Sequence, residues 1–178
     1  MSETQNSGAA GQTPPTGQPG KEARQVVVQK IYVQDASLEV PLAPQIFARQ
    51  WQPKMDVQVN TGVKAVDEAN FVVTVSLTVT AKLGDDVAFL AEAHQAGVFT
   101  VTGFANDAEK QAVLGGYCPG MVFPFARETI ADLVQRGGFP QVLLQPINFE
   151  ALYLQHLNQQ KAQAAAAASA EQTSGQSA

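Results

Sequence analysis

The sequence has very little of the residue types that build catalytic and metal sites. Among its 178 residues there are one cysteine, Cys118, and two histidines, His94 and His156. A single cysteine cannot form an intramolecular disulfide, which is typical of a reducing compartment. Neither histidine has a second histidine or a cysteine at metal-ligand spacing, and the chain lacks a P-loop, a dinucleotide fingerprint and a G-x-S-x-G motif. We therefore expect a protein that is not an enzyme and that carries no metal and no cofactor.

Clusters of cationic residues and long apolar runs are absent too. Charged residues make up 15% of the chain, the net charge is −5, and Lys and Arg are scattered. This pattern argues against a nucleic-acid-binding surface. No apolar run approaches the roughly 20 residues of a membrane-spanning helix, and the N-terminus lacks the cationic start and apolar core of a secretory signal. These absences predict a soluble, cytoplasmic protein that neither binds nucleic acid nor inserts directly into a membrane.

Apolar residues are scarce at both ends of the chain. Residues 1–23 are mostly Gly, Pro, Gln, Ser and Thr, so they cannot bury enough surface to offset the entropy cost of ordering and should be disordered. Residues 161–178 form a low-complexity tail, whose alanines should prolong the last helix by a turn or two. The folded domain is expected over residues 24–160.

The first half of this domain shows the period-two alternation of β-strands. The clearest case is FVVTVSLTVTA at 71–81, where apolar residues alternate with Thr and Ser. Residues 54–60 alternate in the same way, and extended runs occupy 25–40 and 87–103. The last run is long for one strand, and Gly97 should mark a bend or bulge in it.

The second half has helical signals. Asn106 has the spacing of a capping-box residue, and Gly115 or Gly116 should end the helix that it opens. Pro124 suits the first turn of a second helix, and Asn148 can cap a third. Strands followed by helices predict an α+β fold, in which an antiparallel sheet is covered on one face.

Cys118 has two interpretations. A thiol near a helix N-terminus can have a lowered pKa and act as a nucleophile. The YCPG sequence around it has turn chemistry, however, and free cysteines are usually structural. We expect Cys118 to belong to a turn that connects two helices.

Two surfaces remain open to interpretation. Asp35 and Glu39 share one side of a predicted strand, as do Leu90 and Glu92 on another, and such a face is either simply solvated or a docking patch for a basic partner. The apolar rows on the strands are either core or a groove for extended peptides. We expect that groove to be lined or bordered by Met55, Val57, Val59, Phe99, Phe125 and Tyr153.

A set of sequence blocks resembles the SecB family of protein-export chaperones. The blocks occur in the family's order over about residues 26–160 and read KIYVQDASLEVPLAP, WQPKMDV, FLAEAHQAGVFTVTG, LGGYCPGMVFPFARE and RGGFPQVLLQPINFEALY. The resemblance implies a four-stranded antiparallel sheet with helices on one face, assembled as a dimer of dimers. It also implies a holdase that uses no ATP, keeps precursor proteins unfolded and passes them to the SecA motor for export.

The resemblance also assigns roles to single residues. It implies SecA docking by Asp35, Glu39, Leu90 and Glu92, and subunit contacts by Ala91, Ala93 and Gln95. The chain departs from well-known members in its alanines at 91 and 93 and in His94, where glutamine is common. An alternative within the same family is a SecB-like holdase that serves another partner, such as a toxin–antitoxin system.

Overall fold

Four antiparallel strands form one sheet in the computed structural model, which describes residues 23–174. The strands are β1 (Gln25–Glu39), β2 (Lys54–Ala65), β3 (Asn70–Leu83) and β4 (Asp86–Thr102), and their order in the sheet is β1-β4-β3-β2. The predicted α+β class and the four-stranded antiparallel sheet are therefore confirmed. The N-terminal tail expected to be disordered, residues 1–23, lies outside the described part except for residue 23. The last four residues of the C-terminal tail also lie outside it.

The helical half consists of two helical segments, of which the first packs on the sheet and the second packs against the first. The first segment runs from α1 (Asp107–Ala112) through a π-helical turn (Val113–Tyr117) into α2 (Cys118–Arg136), and the second is α3 (Phe149–Ser174). Both predicted caps are confirmed. The Asn106 carboxamide oxygen accepts the Ala108 amide at 2.8 Å, and that of Asn148 accepts the Ala151 amide at 3.0 Å.

The expected break between two helices at residues 115–124 is wrong. Gly115 and Gly116 lie inside the π-helical turn, and the helix continues through them into α2. Pro119, not Pro124, occupies the first turn of α2, and Pro124 lies in its interior. The last helix also differs, since α3 continues to Ser174 and so extends further than the one or two turns expected beyond residue 160.

One face of the sheet is covered by α2 and is called here the inner face. The apolar row predicted on β3 lies on it, and α2 contributes a buried residue at every fourth position, so that the two rows meet in a single core. The buried members are Phe71, Val73, Val75, Leu77, Val79 and Ala81 on β3 and Cys118, Val122, Ala126, Ile130 and Val134 on α2.

The sheet is irregular at two points on β1 and at the β3–β4 end near Ala88, and not at Gly97. Gly97 keeps regular pairing with both Ile31 and Val73, whereas β1 shifts register between Val28 and Lys30 and again between Val33 and Asp35. Glycine is required at position 97 for packing, because a Cβ atom there would stand 2.6 Å from the Phe99 ring. The bend or bulge predicted at Gly97 is therefore wrong, and the glycine instead leaves room for core packing.

The hairpin between β2 and β3 is closed by Asp67. Its carboxylate accepts the side-chain amide of Asn70 and the backbone amides of Ala69 and Asn70. The Asn70 side chain, followed by the two backbone amides, lowers the pKa of Asp67 below its ordinary value. This local network makes an exposed turn of the kind that aspartate favours.

Candidate binding surfaces

The outer face of the sheet, opposite α2, brings together the four residues for which docking is predicted. Across the β1–β4 pair, Asp35 lies opposite His94 and Glu39 lies opposite Leu90. Glu92 occupies the row between them, opposite Ser37. Directly paired residues share a face, so Asp35, Glu39, Leu90 and Glu92 form one continuous surface, which we call the acidic patch.

Hydroxyl groups of β3 orient the β4 side chains of this surface. The Thr78 hydroxyl donates to the Glu92 carboxylate at 3.1 Å, and the Ser76 hydroxyl lies 2.7 Å from Nδ1 of His94. The Ser76–His94 contact is part-buried. These bonds hold Glu92 and His94 in fixed positions without removing the Glu92 charge, which is what a docking surface requires.

One carboxylate near the acidic patch was missed by sequence reasoning. Asp56 on β2 lies opposite Thr80 on β3, and Thr80 lies opposite Leu90 on β4. Asp56 therefore extends the Glu39–Leu90 row across the whole sheet. The alternation of β2 had already placed Asp56 on a polar face, but only the register between strands could place it in this row.

The three residues expected to make subunit contacts lie on the inner face. Ala91 and Ala93 are fully buried, and Gln95 is almost so. The Thr129 hydroxyl of α2 donates to the Gln95 carboxamide oxygen at 3.3 Å. Within one chain these side chains already support α2 from beneath. Their role at a subunit contact therefore stays a prediction.

The inner side of β2 extends beyond the cover of α2 and borders two grooves. The loop groove, of about 410 Å³, lies between Met55 and Val57 on one side and the extended residues 142–147 on the other. Arg127 of α2 holds this loop by donating to the Leu144 carbonyl at 3.4 Å. Met55 is 37% exposed and Val57 is 41% exposed, so this part of the apolar row is a surface and not core.

The helix groove, of about 370 Å³, lies further along β2. Val59 and Val63 form one wall, and Leu152, Tyr153 and His156 of α3 form the other. Gly115 and Phe149 form its floor. The two grooves follow the same strand in succession, so an extended polypeptide lying along β2 would meet both.

The two remaining residues of the predicted groove lie elsewhere. Phe99 is fully buried in the core, where the missing side chain of Gly97 leaves room for its ring beside Val122. The expectation that Phe99 lines a groove is therefore wrong, because α2 crosses β4 but leaves β2 uncovered. Phe125 is 44% exposed on α2, beside a separate hollow that also includes Val33 of β1.

Cys118 is buried in the first turn of α2, so the expectation of an inter-helix turn is wrong. Its side chain is fully covered, and burial raises the pKa of its thiol to about 12. At neutral pH the thiolate fraction is therefore negligible, which does not suit a nucleophile. The structural interpretation of this residue agrees with its surroundings.

Within the described residues, no group of three or more His, Cys, Asp and Glu side chains is arranged to hold a metal ion. Over the same part of the chain, no helix is both long enough and apolar enough to span a membrane. The features that do stand out are one flat polar face and two open apolar grooves. Open apolar grooves beside the edge strand of a sheet are the kind of surface on which extended polypeptides bind.

Comparison with known proteins identifies the family of the chain. The family model for the preprotein translocase subunit SecB matches residues 19–160. A protein-export protein SecB from Nitrosococcus oceani is 48% identical over 155 residues, which cover 86% of this chain and 92% of that protein. Its counterpart from Chromobacterium violaceum is 49% identical and covers 75% of this chain and 88% of the relative. The chain belongs to the SecB family of protein-export chaperones.

A solved structure shares the fold at much lower sequence similarity. The Mycobacterium tuberculosis SecB-like chaperone, in complex with a peptide from the HigA1 antitoxin, aligns with a TM-score of 0.55 at 20% identity. The alignment covers 68% of this chain and 87% of that one. The sheet-and-helix architecture therefore recurs in a chaperone whose sequence has diverged widely.

Proposed function

We propose that this chaperone holds unfolded precursor polypeptides in the loop groove and the helix groove and delivers them to SecA through the acidic patch. The observation that carries the proposal is the exposure of Met55 and Val57 beside open grooves, on a strand whose outer edge is free. Unfolded chains offer apolar side chains and free backbone groups, and an uncovered strand edge beside apolar grooves meets both. No step of this holding function needs ATP.

The acidic patch suits a basic or zinc-bearing partner segment. Asp35 and Glu39 are exposed, Glu92 is held in place by Thr78, and Leu90 adds a half-buried apolar anchor. The patch lies on the outer face, whereas both grooves open on the inner side of β2. One molecule could therefore carry a client and contact the motor at the same time. Since precursors meet SecA before they are exported, the site of action is the cytoplasm.

The proposed assembly is a dimer of dimers. β1 lies at one edge of the sheet, and it exposes Val27 (41%) and Val33 (49%). Val33 borders the hollow that contains Phe125 of α2. A free edge with exposed apolar residues tends to pair with another chain. A second copy is the partner that the family resemblance favours, and several grooves in one assembly would raise client avidity through many weak contacts.

The alternative is a holdase dedicated to one partner, such as an antitoxin. The M. tuberculosis relative is known in complex with an antitoxin peptide, and open grooves would serve that role as well. Asp35, Glu39 and Glu92 on one face favour the export role, because a dedicated holdase would have no need of a motor-docking surface.

Sedimentation of the purified chain with a urea-denatured precursor and with SecA tests the proposal. We expect three species: the chaperone with the precursor, the chaperone with SecA, and the ternary complex. Failure to form the complex with any unfolded precursor would overturn the holding function. Precursor binding without SecA binding would favour the dedicated-partner alternative.

A further inference from the structure

The floor of the helix groove contains an unusually close contact between two helices. A Cβ atom at Gly115 would overlap the Tyr153 ring, with Cε2 at 2.6 Å and Cδ2 closer still. The aromatic ring of α3 therefore lies directly on the backbone of the π-helical turn. Both residues also line the helix groove, so their contact determines where one wall of the groove stands.

The glycine at this position is required by space and not by backbone conformation. Positive φ values occur at Gly84, Gly103 and Gly138, and Gly115 is not among them. A residue with a side chain could therefore adopt the backbone of Gly115, but it could not coexist with the present position of the ring. Gly120, five residues further along in α2, has no heavy atom within 4 Å of an added Cβ, which makes it a matched control.

The helix groove is open space beside the ring of Tyr153, which is one of its lining residues. At its N-terminal end, α3 is fixed by Phe149, which is buried and packs edge-on against Phe123 with ring centroids 5.5 Å apart. A Cβ at Gly116 would stand 3.1 Å from the Glu150 Cα, so the two backbones are also close there. A ring displaced from Gly115 would therefore turn into the helix groove, which it already borders.

We infer that Gly115 is a specificity-determining residue: by letting the Tyr153 ring lie against the π-helical turn, it keeps the helix groove open for one large apolar side chain of an extended client. The inference rests on the proposed holding function and names the client side chain that this groove selects. π-helical turns inside α-helices are frequent at functional sites, and this one supplies the groove floor.

The dimensions and lining of the groove fit such an occupant. Its volume of about 370 Å³ lies near the lower end of the range of about 300–1,000 Å³ found for ligand pockets. Val59, Val63 and Leu152 are apolar, while Asn60, Gln111 and His156 provide polar groups around them. Such a site can bury an aromatic or large aliphatic side chain while the backbone of the client remains along the free edge of β2.

The test uses the full-length chain and two short synthetic peptides. Both are made of Ser, Gln and Lys, with a central phenylalanine in one and alanine in the other, and binding is followed by fluorescence anisotropy. The wild type should prefer the phenylalanine peptide. Gly115→Ala should weaken binding of that peptide by about 10-fold, the usual scale for a changed fit in an apolar pocket, and should leave the alanine peptide unaffected. Gly120→Ala should bind both peptides as the wild type does.

A double-variant cycle with Tyr153→Ala separates the proposed contact from general damage. With the ring removed, adding Gly115→Ala should change peptide affinity by less than about two-fold, because nothing remains to displace. If Gly115→Ala alone proves unfolded by circular dichroism, a folded double variant that binds like Tyr153→Ala supports the inference, and an unfolded one overturns it. Equal losses in both backgrounds also overturn it.

Failure of the inference and failure of the proposed function give different results. If Gly115→Ala behaves like Gly120→Ala while unfolded precursor still binds, Gly115 has no role in selection and the holding function stands. If the wild type binds neither peptide nor a urea-denatured precursor, both the inference and the proposed function are overturned.

Discussion

Glu92 shows how one side chain can be fixed in place and still keep its charge available to a partner. It accepts the Thr78 hydroxyl on one side of β4 and lies in the row between Asp35 and Glu39 on the other. Glu92 is only half-buried and lies on the outer face, away from the core, so changes here should act on docking more than on the fold.

Charge reversal at this position gives the sharpest test of the acidic patch. Glu92→Lys should reduce SecA affinity more than Glu92→Ala does, because repulsion replaces attraction, and the loss should be smaller in high salt. Calorimetry with SecA and with an unfolded precursor measures both activities for the same protein, and precursor affinity should be unchanged. Glu68→Lys makes the same charge change roughly 26 Å further along the sheet at about 3.3 Å per residue and should bind SecA normally. Wild-type SecA affinity in Glu92→Lys would mean that the outer face is not the docking surface.

Cys118 contrasts with Glu92, because burial makes its thiol unreactive. Cys118→Ser should keep nearly all client binding, because the two side chains are similar in size. Stability should fall by about 1–3 kcal/mol, since the hydroxyl loses its water on burial. Urea denaturation and the sedimentation assay measure the two effects. Loss of client binding at unchanged stability would contradict a purely structural role and indicate that the thiol is a functional group.

The same residue predicts a pH dependence. Because burial raises the folded-state pKa of the thiol from an ordinary value of 9.0 to about 12, its stabilising contribution is complete below pH 9 and is lost as the pH rises towards 12. The free energy of unfolding of the wild type should therefore decrease relative to Cys118→Ser over that interval. Native-state thiol titration with a disulfide reagent should also stay slow at pH 8 until urea is added. Rapid modification of the folded protein would contradict the burial.

At the scale of elements, β2 and β3 show how one sheet provides both core and surface. Val57 and Val79 are direct cross-strand partners, yet Val57 is 41% exposed and Val79 is fully buried. The difference arises only from where α2 lies. Neighbouring residues of the same type should therefore respond very differently to the same change.

Val57→Asp should keep the fold and weaken client binding, because it places a charge in the loop groove. Val79→Asp should unfold the chain, because it buries an unpaired charge. Gln58→Asp adds the same charge on the outer face of β2 and should spare client binding. Circular dichroism and precursor affinity distinguish the three variants. An unfolded Val57→Asp protein would show that the row at Met55 and Val57 is core after all.

Features that depend on a local sequence pattern could be predicted, whereas features that depend on tertiary packing could not. Alternation located β3, and the side-chain caps located the starts of α1 and α3. The break expected before Pro124 failed because Gly115 and Gly116 look like helix ends in sequence but here make space for α3. Sequence could place Asp35 and Glu92 on polar faces. The sequence could not show that Met55 is exposed and Phe99 buried, because that depends on the path of α2, which is distant from both residues along the chain.

At the scale of the whole molecule, the sheet of the described chain has two edge strands, each with one side that pairs with no other strand of the sheet. β1 ends one side of the sheet and β2 ends the other, and both carry exposed apolar side chains. The two edges have different surroundings, since grooves accompany β2 whereas β1 borders the hollow at Phe125. This asymmetry supports a division in which β1 serves assembly and β2 serves clients.

Light scattering at micromolar concentration should give a tetramer, in equilibrium with dimers on dilution. Val33→Asp should shift the equilibrium towards smaller species, because it places a charge at the proposed contact, while circular dichroism should remain that of the wild type. Val63→Asp, a matched change on β2, should leave the tetramer intact. A wild-type monomer at micromolar concentration would refute the assembly.

The two register shifts of β1 have a consequence for how this strand can change length over evolution. Each shift inserts one unpaired residue and so exchanges the sides to which the following residues point. Val28, Val33 and Leu38 all lie on the inner face, although their parities in the sequence differ. Between the two insertions, the even-numbered and odd-numbered residues of β1 exchange faces. The second insertion restores the original alternation and so places Asp35 on the outer face. Deletion of Gln34, the unpaired residue of the second shift, would leave Asp35 opposite His94 and Glu39 opposite Leu90, on the outer face. The unpaired residues Gln29 and Gln34 are therefore the interior positions at which β1 can lose a residue without turning the carboxylates of Asp35 and Glu39 towards the core.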